Sequence, residues 1–216
     1  MFKICSRETL EAAPPDFKPA CPIHARTTAG RGNTDCERLG TMTAEITVRD
    51  GGPADAPAVA ALHADSWRTA YTGLVPAEAL GDGLPAQRRE IWELRLTADY
   101  GDPAHTPTLL LAEEAGNGPV GFAYLVPEPD GRVLLDNLHV RPGRTGGGIG
   151  ALLLRTALHR AAPAVLRLEV LRDNHRAIAF YEREGGIRTD ERTAEFPGGH
   201  EVAEYEYSWP QPAHRS

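Results

Sequence analysis

The sequence predicts an α/β domain in which a largely antiparallel sheet carries helices against it. Three observations lead there. Three strand-like segments between residues 108 and 140, separated by tight-turn sequences, have the pattern of an antiparallel meander. Segments with apolar residues at helical spacing stand before and after it. A glycine-dense loop then joins the last meander strand to an apolar helix, and a strand, a helix and two final strands follow.

Taken in order, residues 1–44 mix Pro14, Pro15, Pro19 and Pro22 with glycines and small polar residues, show neither period, and read as a disordered tail. Met42 stands just before the first convincing strand, so the preceding residues read either as a mis-assigned start or as a leader with no chemical role. The ordered domain is expected over 45–210, with a short tail at 211–216. Glu45–Arg49 is a strand, and Pro53–Tyr71 a helix with Val59, Leu62, Trp67 and Tyr71 on its apolar side. Pro76–Leu80 and Pro85–Ala98 each place proline at a first helical position, and Ile91, Trp92, Leu94 and Leu96 give the second an apolar side. Thr108–Glu113 and Val120–Val126 flank Ala115-Gly116-Asn117-Gly118, whose composition permits positive φ, and Pro129-Asp130-Gly131 turns the chain into Val133–Val140. Gly148–Ala161 is a helix, Val165–Leu171 a strand, Asn174–Glu184 a helix, and Ile187–Thr193 and Val202–Trp209 are strands.

Composition narrows the function. The 216 residues are 41% apolar and 25% charged, and no apolar run approaches the ~18 residues of a membrane span. A net charge of −7 argues against a dominant nucleic-acid or anionic-membrane surface and slightly favours a small cationic partner. Met1–Leu10 has Lys3 and Arg7 but no apolar segment or cleavage site, so a cytoplasmic location is expected. Cys5, Cys21 and Cys36 make no disulfide framework, and Cys21, His24 and Cys36 lack the paired spacing of a zinc site; no metal is implied.

The loop Val140-Arg141-Pro142-Gly143-Arg144-Thr145-Gly146-Gly147-Gly148-Ile149-Gly150-Ala151 carries the first chemical signal. Residues without Cβ atoms let backbone N–H groups converge on phosphate oxygens at the positive end of a helix dipole. A Walker A loop fails because Ile149-Gly150 stands where Lys-Ser or Lys-Thr is required. Gly146-x-Gly148-x-x-Ala151, with Glu169 further on, fits a dinucleotide fingerprint more closely. Residues 141–145 intervene between strand and glycines, however, and too little chain follows for the remaining parallel strands.

The region resembles the acyl-coenzyme A loop of the GNAT superfamily of N-acetyltransferases, Gln/Arg-x-x-Gly-x-Gly/Ala after Val-x-Pro. Here Thr145 takes the Gln/Arg position, with Arg144 just before it. Asn174-His175-Arg176-Ala177-Ile178-Ala179-Phe180-Tyr181-Glu182-Arg183-Glu184-Gly185-Gly186 is similar to the family's second motif, Asn-x-x-Ala-x-x-Phe/Leu-Tyr-Glu-x-x-Gly-Phe, with Gly186 in place of the phenylalanine. Ser66–Pro76, with Arg89 and Trp92, is similar to one bacterial branch. The likeness covers about Ile46 to Trp209. It implies a mixed, mostly antiparallel sheet splayed between its fourth and fifth strands to admit the coenzyme.

It also implies an acetyl-CoA-dependent N-acetyltransferase working by direct attack in a ternary complex. Leu138, Val140, Arg144, Thr145, Gly146, Gly148, Gly150, Ala151 and Asn174 are the implied coenzyme contacts. Asn174 also suits a helix N-cap. Trp67 and Tyr71 are expected either to line the acceptor pocket or to be core. Glu169, twelve positions before Tyr181, is the leading base or else a structural partner of Arg167; Tyr181 is expected to hydrogen-bond the departing thiolate. Asp136 is also expected among the acceptor-binding residues; it and His139 are substitutes for the base, and strict alternation sets His139 on the face opposite Asp136 and Leu138. Arg155, His159 and Arg160 read as a solvated face. The expected acceptor is a small amine, with a protein N-terminus or lysine as runner-up; a non-catalytic acyl-CoA sensor is the alternative of another class. Homodimers are frequent in the family, so self-association is compatible with the likeness.

Overall fold

The computed structural model describes residues 45–73, 77–196 and 200–209. The expected tails, 1–44 and 211–216, and the Cys21, His24 and Cys36 group lie outside these. Seven strands form one sheet in the order β1-β2-β3-β4-β5-β7-β6: β1 Ile46–Asp50, β2 Thr108–Glu114, β3 Gly118–Pro127, β4 Val133–Val140, β5 Leu166–Leu171, β6 Ile187–Phe196 and β7 His200–Trp209. All neighbours are antiparallel except β4 and β5. The sheet is therefore mixed and mostly antiparallel, as expected.

Helices α1 (Ala56–Tyr71) and α2 (Leu84–Thr97) cover one face, and α3 (Ile149–Ala161) and α4 (His175–Arg183) the other. The helix expected from Pro53 begins instead with a tight 3-10 turn at Pro53–Asp55, whose Asp55 carboxylate accepts the Gly52 N–H at 2.9 Å. The segment expected as a helix from Pro76 is a single 3-10 turn over Ala77–Leu80. On α1, Val59, Leu62, His63, Ser66, Trp67 and Tyr71 are buried at the spacing that makes one helical stripe. On β5, Leu166, Leu168 and Val170 face α3 and α4, whereas Leu171 packs with α1. This period of two assigns Arg167 and Glu169 to the α1 and α2 side.

Two irregularities shape the middle of the sheet. In β4, Tyr124 pairs with Asn137 but Leu125 with Leu135, leaving Asp136 as an extra residue in a β-bulge. The bulge breaks the alternation expected along this strand. Asp136 accepts from Arg95 of α2 at 2.8 Å and from the adjacent Asn137 amide at 2.5 Å, so it shares the α1 and α2 face with His139 rather than opposing it. The second irregularity lies between β4 and β5. Their parallel pairing is confined to Val133↔Leu166 and Leu134↔Arg167, and the remainder of each strand runs on without its neighbour.

Candidate active site

The loop after β4 turns through left-handed glycines, with φ of 82° at Gly143, 89° at Gly146 and 80° at Gly148, the last being the N-cap of α3. An L side chain at any of these positions is strained, so the path that aims the amides depends on glycine. Between this loop and α4 lies a cleft of about 490 Å³. Val140, Arg144 and Thr145 line it together with Gly146, Gly148, Gly150 and Ala151. From α4 come Phe180, Arg176 and Arg183, none of which sequence reasoning had singled out as contacts. Their spacing of four and three positions was the available signal, since it sets all three on one helix stripe.

The other two expected coenzyme contacts are elsewhere. Leu138 is fully buried in the core beneath α3. Asn174 caps α4, its side-chain oxygen accepting the Ala177 N–H at 3.2 Å, and its buried Nδ2 has no hydrogen-bond partner among the described residues. Arg144 forms an ion pair with Glu114 at the end of β2. Arg155, His159 and Arg160 are exposed on α3, with Arg160 paired to Asp50 at 2.8 Å.

On the opposite face, Trp67 and Tyr71 are buried side by side, ring centroids 5.0 Å apart, in a cluster with Leu84 and Leu171. The Arg88 guanidinium lies 4.0 Å from the Trp67 ring centre. Glu169 is buried, and its Oε1 accepts from Arg167 at 2.7 Å and from Arg192 of β6. Arg167 is also clamped by both oxygens of Glu128 and by Glu206 at 3.1 Å. The expected Arg167 contact is therefore present, and Arg192 joins it through the β6–β7 ribbon.

Two buried imidazoles stand between α1 and β4. Trp92 Nε1–H donates to His63 Nδ1 at 2.9 Å. Ser66 Oγ directs its proton to the His63 carbonyl at 2.9 Å, so the 2.8 Å contact with His139 Nδ1 requires the ring to donate to Oγ. His63, accepting at Nδ1, is thus neutral, and burial pushes both imidazoles well below the ordinary 6.5.

Tyr181 projects from α4 into the core of the α3 and α4 face, against Phe180 and Trp209. Burial, with the Tyr71 phenol as a second contribution, pushes its phenol well above 10. It therefore stays a hydrogen-bond donor at every working pH. Glu169 thus stands on the α1 and α2 side of β5, whereas Tyr181 is carried by α4 on the other side, with the Tyr71 phenol near enough to act on its hydroxyl.

The model of the acetyltransferase (GNAT) family matches residues 64–186, which contain the loop, the opened strand pair and α4. The chain belongs to this family. Over 144 residues, 64% of its length, this acetyltransferase is 31% identical to the probable N-acetyltransferase Rv2775 of Mycobacterium tuberculosis, of which it covers 78%. Over 118 residues, 52% of its length, it is 37% identical to the mycothiol acetyltransferase of Kineococcus radiotolerans, and it spans 38% of that protein. Its fold is also that of the PaiA N-acetyltransferase from Thermoplasma acidophilum, solved in complex with coenzyme A. That match has a TM-score of 0.59 at 20% identity and covers 76% of this chain and 99% of the other. No described helix is long and apolar enough to cross a membrane.

Proposed function

We propose that the protein transfers the acetyl group of acetyl-CoA to a primary amine by direct attack in a ternary complex, and that the acceptor is a small cationic molecule. The observation that carries this reading is the place where the β4–β5 pairing stops. Two paired positions are followed by a gap whose mouth is the glycine loop and the arginine-lined cleft. The residues there fit a coenzyme. Loop amides at the N-terminus of α3 and the guanidiniums of Arg144, Arg176 and Arg183 suit phosphates. The free edge of β4 at Leu138 and Val140 suits an extended amide chain, and the buried Asn174 Nδ2 is a donor in want of an acceptor. When bound, acetyl-CoA supplies the activated acyl thioester.

The acceptor approaches from the α1 and α2 side, where the buried Trp67, Tyr71 and Asp136 form the wall behind it. The ion-pair network there joins Asp130, Glu128, Glu169, Glu204 and Glu206 to Arg132, Arg167 and Arg192. The chain's net charge of −7 supports a cationic acceptor. An alkylamine of pKa ~10 is neutral in only about one molecule in 10³ at neutral pH, a barrier of about 4 kcal/mol, so its proton needs a route out. Glu169 receives that proton and passes it to solvent. Tyr181 stays protonated and donates to the departing sulfur: a phenol near 10 or above is a weaker acid than a thiol at ~8.5, so it stabilises the thiolate without full transfer.

A second reading rests on the contacts of Glu169. With Arg167 and Arg192 both on Oε1, the carboxylate is a structural tie and the proton leaves through ordered water. Glu169→Gln separates the two. A base predicts kcat/KM lower by ~10²–10⁴ with loss of the acidic limb of the pH profile, whereas a tie predicts retained turnover and a lower Tm. The proposed activity is tested by thiol release from acetyl-CoA with polyamines, aminoglycosides, amino acids and N-terminal peptides. Turnover with a small cation is expected. Turnover with peptides alone would transfer the reading to a protein acetyltransferase, and coenzyme binding without turnover across the panel would favour a sensor.

A further inference from the structure

The end of α4 is closed by a residue far away in sequence. The last carbonyls of a helix lack intrahelical partners, and here the Glu184 carbonyl accepts the indole N–H of Trp209 at 2.9 Å. The chain then passes through left-handed Gly185, and the Gly186 N–H returns to the Tyr181 carbonyl at 2.8 Å. A Cβ at Gly186 would stand 2.9 Å from Trp209 Cζ2 and 2.9 Å from the Tyr181 carbonyl oxygen. The indole therefore occupies the space that a side chain at 186 would need. That is the position where the second motif carries phenylalanine, so the missing aromatic is returned from β7. The same indole meets the Tyr181 ring edge-on, centroids 5.9 Å apart at 77°. Its base is rigid, because Trp209 pairs with Leu166 across the sheet and is itself buried.

We propose that Trp209 is a positioning residue for Tyr181: the indole locks the last turn of α4 and the tyrosine ring together, and Gly186 is the opening that admits it. The inference rests on the reading of Tyr181 as the donor to the departing thiolate. Tyr207, two residues before Trp209 on the same face of β7, braces the same turn by donating to Glu182 at 2.8 Å. Both tie α4 to the sheet on the far side of the β4–β5 gap from the glycine loop. The position of the Tyr181 hydroxyl is thus set by β7 as well as by its own helix.

The test needs no acceptor. Coenzyme A is bound to the full-length protein, and its thiol is titrated through the ultraviolet absorbance of the thiolate, in wild type, Tyr181→Phe, Trp209→Leu, Trp209→Phe and the Tyr181→Phe/Trp209→Leu double variant. A hydroxyl donating to the sulfur lowers the pKa of the bound thiol, so Tyr181→Phe is expected to raise it by about one unit, a tenfold change in ionisation. Trp209→Leu is expected to raise it in the same direction, with coenzyme affinity within about twofold of wild type, and the double variant to go no further than Tyr181→Phe. Trp209→Phe keeps a ring edge, loses the N–H and leaves a smaller cavity than leucine; it is expected to fold and to give a smaller shift of the same sign.

A wild-type thiol pKa in both Trp209 variants, beside a shifted Tyr181→Phe, would overturn the role of Trp209 and leave that of Tyr181 standing. Full additivity in the double variant would likewise overturn it, since the indole would then act by another route. A Tyr181→Phe protein with an unshifted thiol would remove the reading of Tyr181 and this inference with it.

Discussion

The two buried histidines make the stability of this protein acid-sensitive in a defined window. His63 and His139 are about 1% and 0% exposed, and their ring centroids are 4.5 Å apart. The Trp92 N–H holds His63 in a neutral tautomer, and His139 is bonded to Ser66. Protonating either costs the desolvation of a cation, and protonating both adds repulsion at short range. Burial sets the folded-state affinity for protons well below the ordinary imidazole value of 6.5, which applies to the unfolded chain. The unfolded state therefore binds more protons, and stability, fully present above pH 6.5, is lost as pH falls below it. Each histidine that stays neutral contributes a slope that approaches about 1.4 kcal/mol per pH unit below 6.5, so the pair loses about 3 kcal/mol between pH 6.5 and about pH 5. That is a large share of the ~5–15 kcal/mol stability of a typical domain. Urea unfolding across this range measures it. His139→Leu is expected to halve the slope, because one titrating group remains. A stability independent of pH from about 7 to about 5, or a slope unchanged by His139→Leu, would refute the reasoning.

Further expectations concern single contacts. Tyr181→Phe should lower kcat by ~10²-fold with little change in acetyl-CoA affinity, and an unchanged turnover in thiol release would remove its role. Gly148→Ala imposes a side chain at φ 80°, a cost of about 1–2 kcal/mol, and should weaken coenzyme A binding about tenfold in calorimetry; wild-type affinity would show that the loop path is not what binds. Arg167→Met strips Glu128, Glu169 and Glu206 of a shared guanidinium and should destabilise by about 3–5 kcal/mol in urea unfolding, whereas a loss under about 1 kcal/mol would mean that the network is solvated.

Much of the scaffold was legible in the chain itself. The meander 108–140, the helices after the glycine loop and at 175–183, and the closing strands follow from apolar period and turn residues. These are local signals, because side-chain direction repeats every two residues in a strand and about every 3.6 in a helix. The two motifs were legible for the same reason. An amide cradle needs glycines at consecutive turns, and a helix cap needs an asparagine one residue before the helix. Boundaries moved where local chemistry competed, as at Pro53, where Asp55 and Gly52 close a tight turn before the α-helix begins.

What the sequence by itself determined is thus the order and kind of the elements and the chemistry of the loop. Tertiary structure decided how side chains from distant elements meet. Strict alternation misplaced Asp136, because a bulge is a property of two strands in register and is invisible in either alone. Arg192 reaches Glu169, and Arg144 reaches Glu114, across 23 and 30 positions of chain that only pairing between strands brings together. Gly186 looked like a defect in its motif until β7 was in place. A side-chain volume that is missing at one position can be supplied from anywhere in the chain, and packing in three dimensions, not spacing in one, records where it came from.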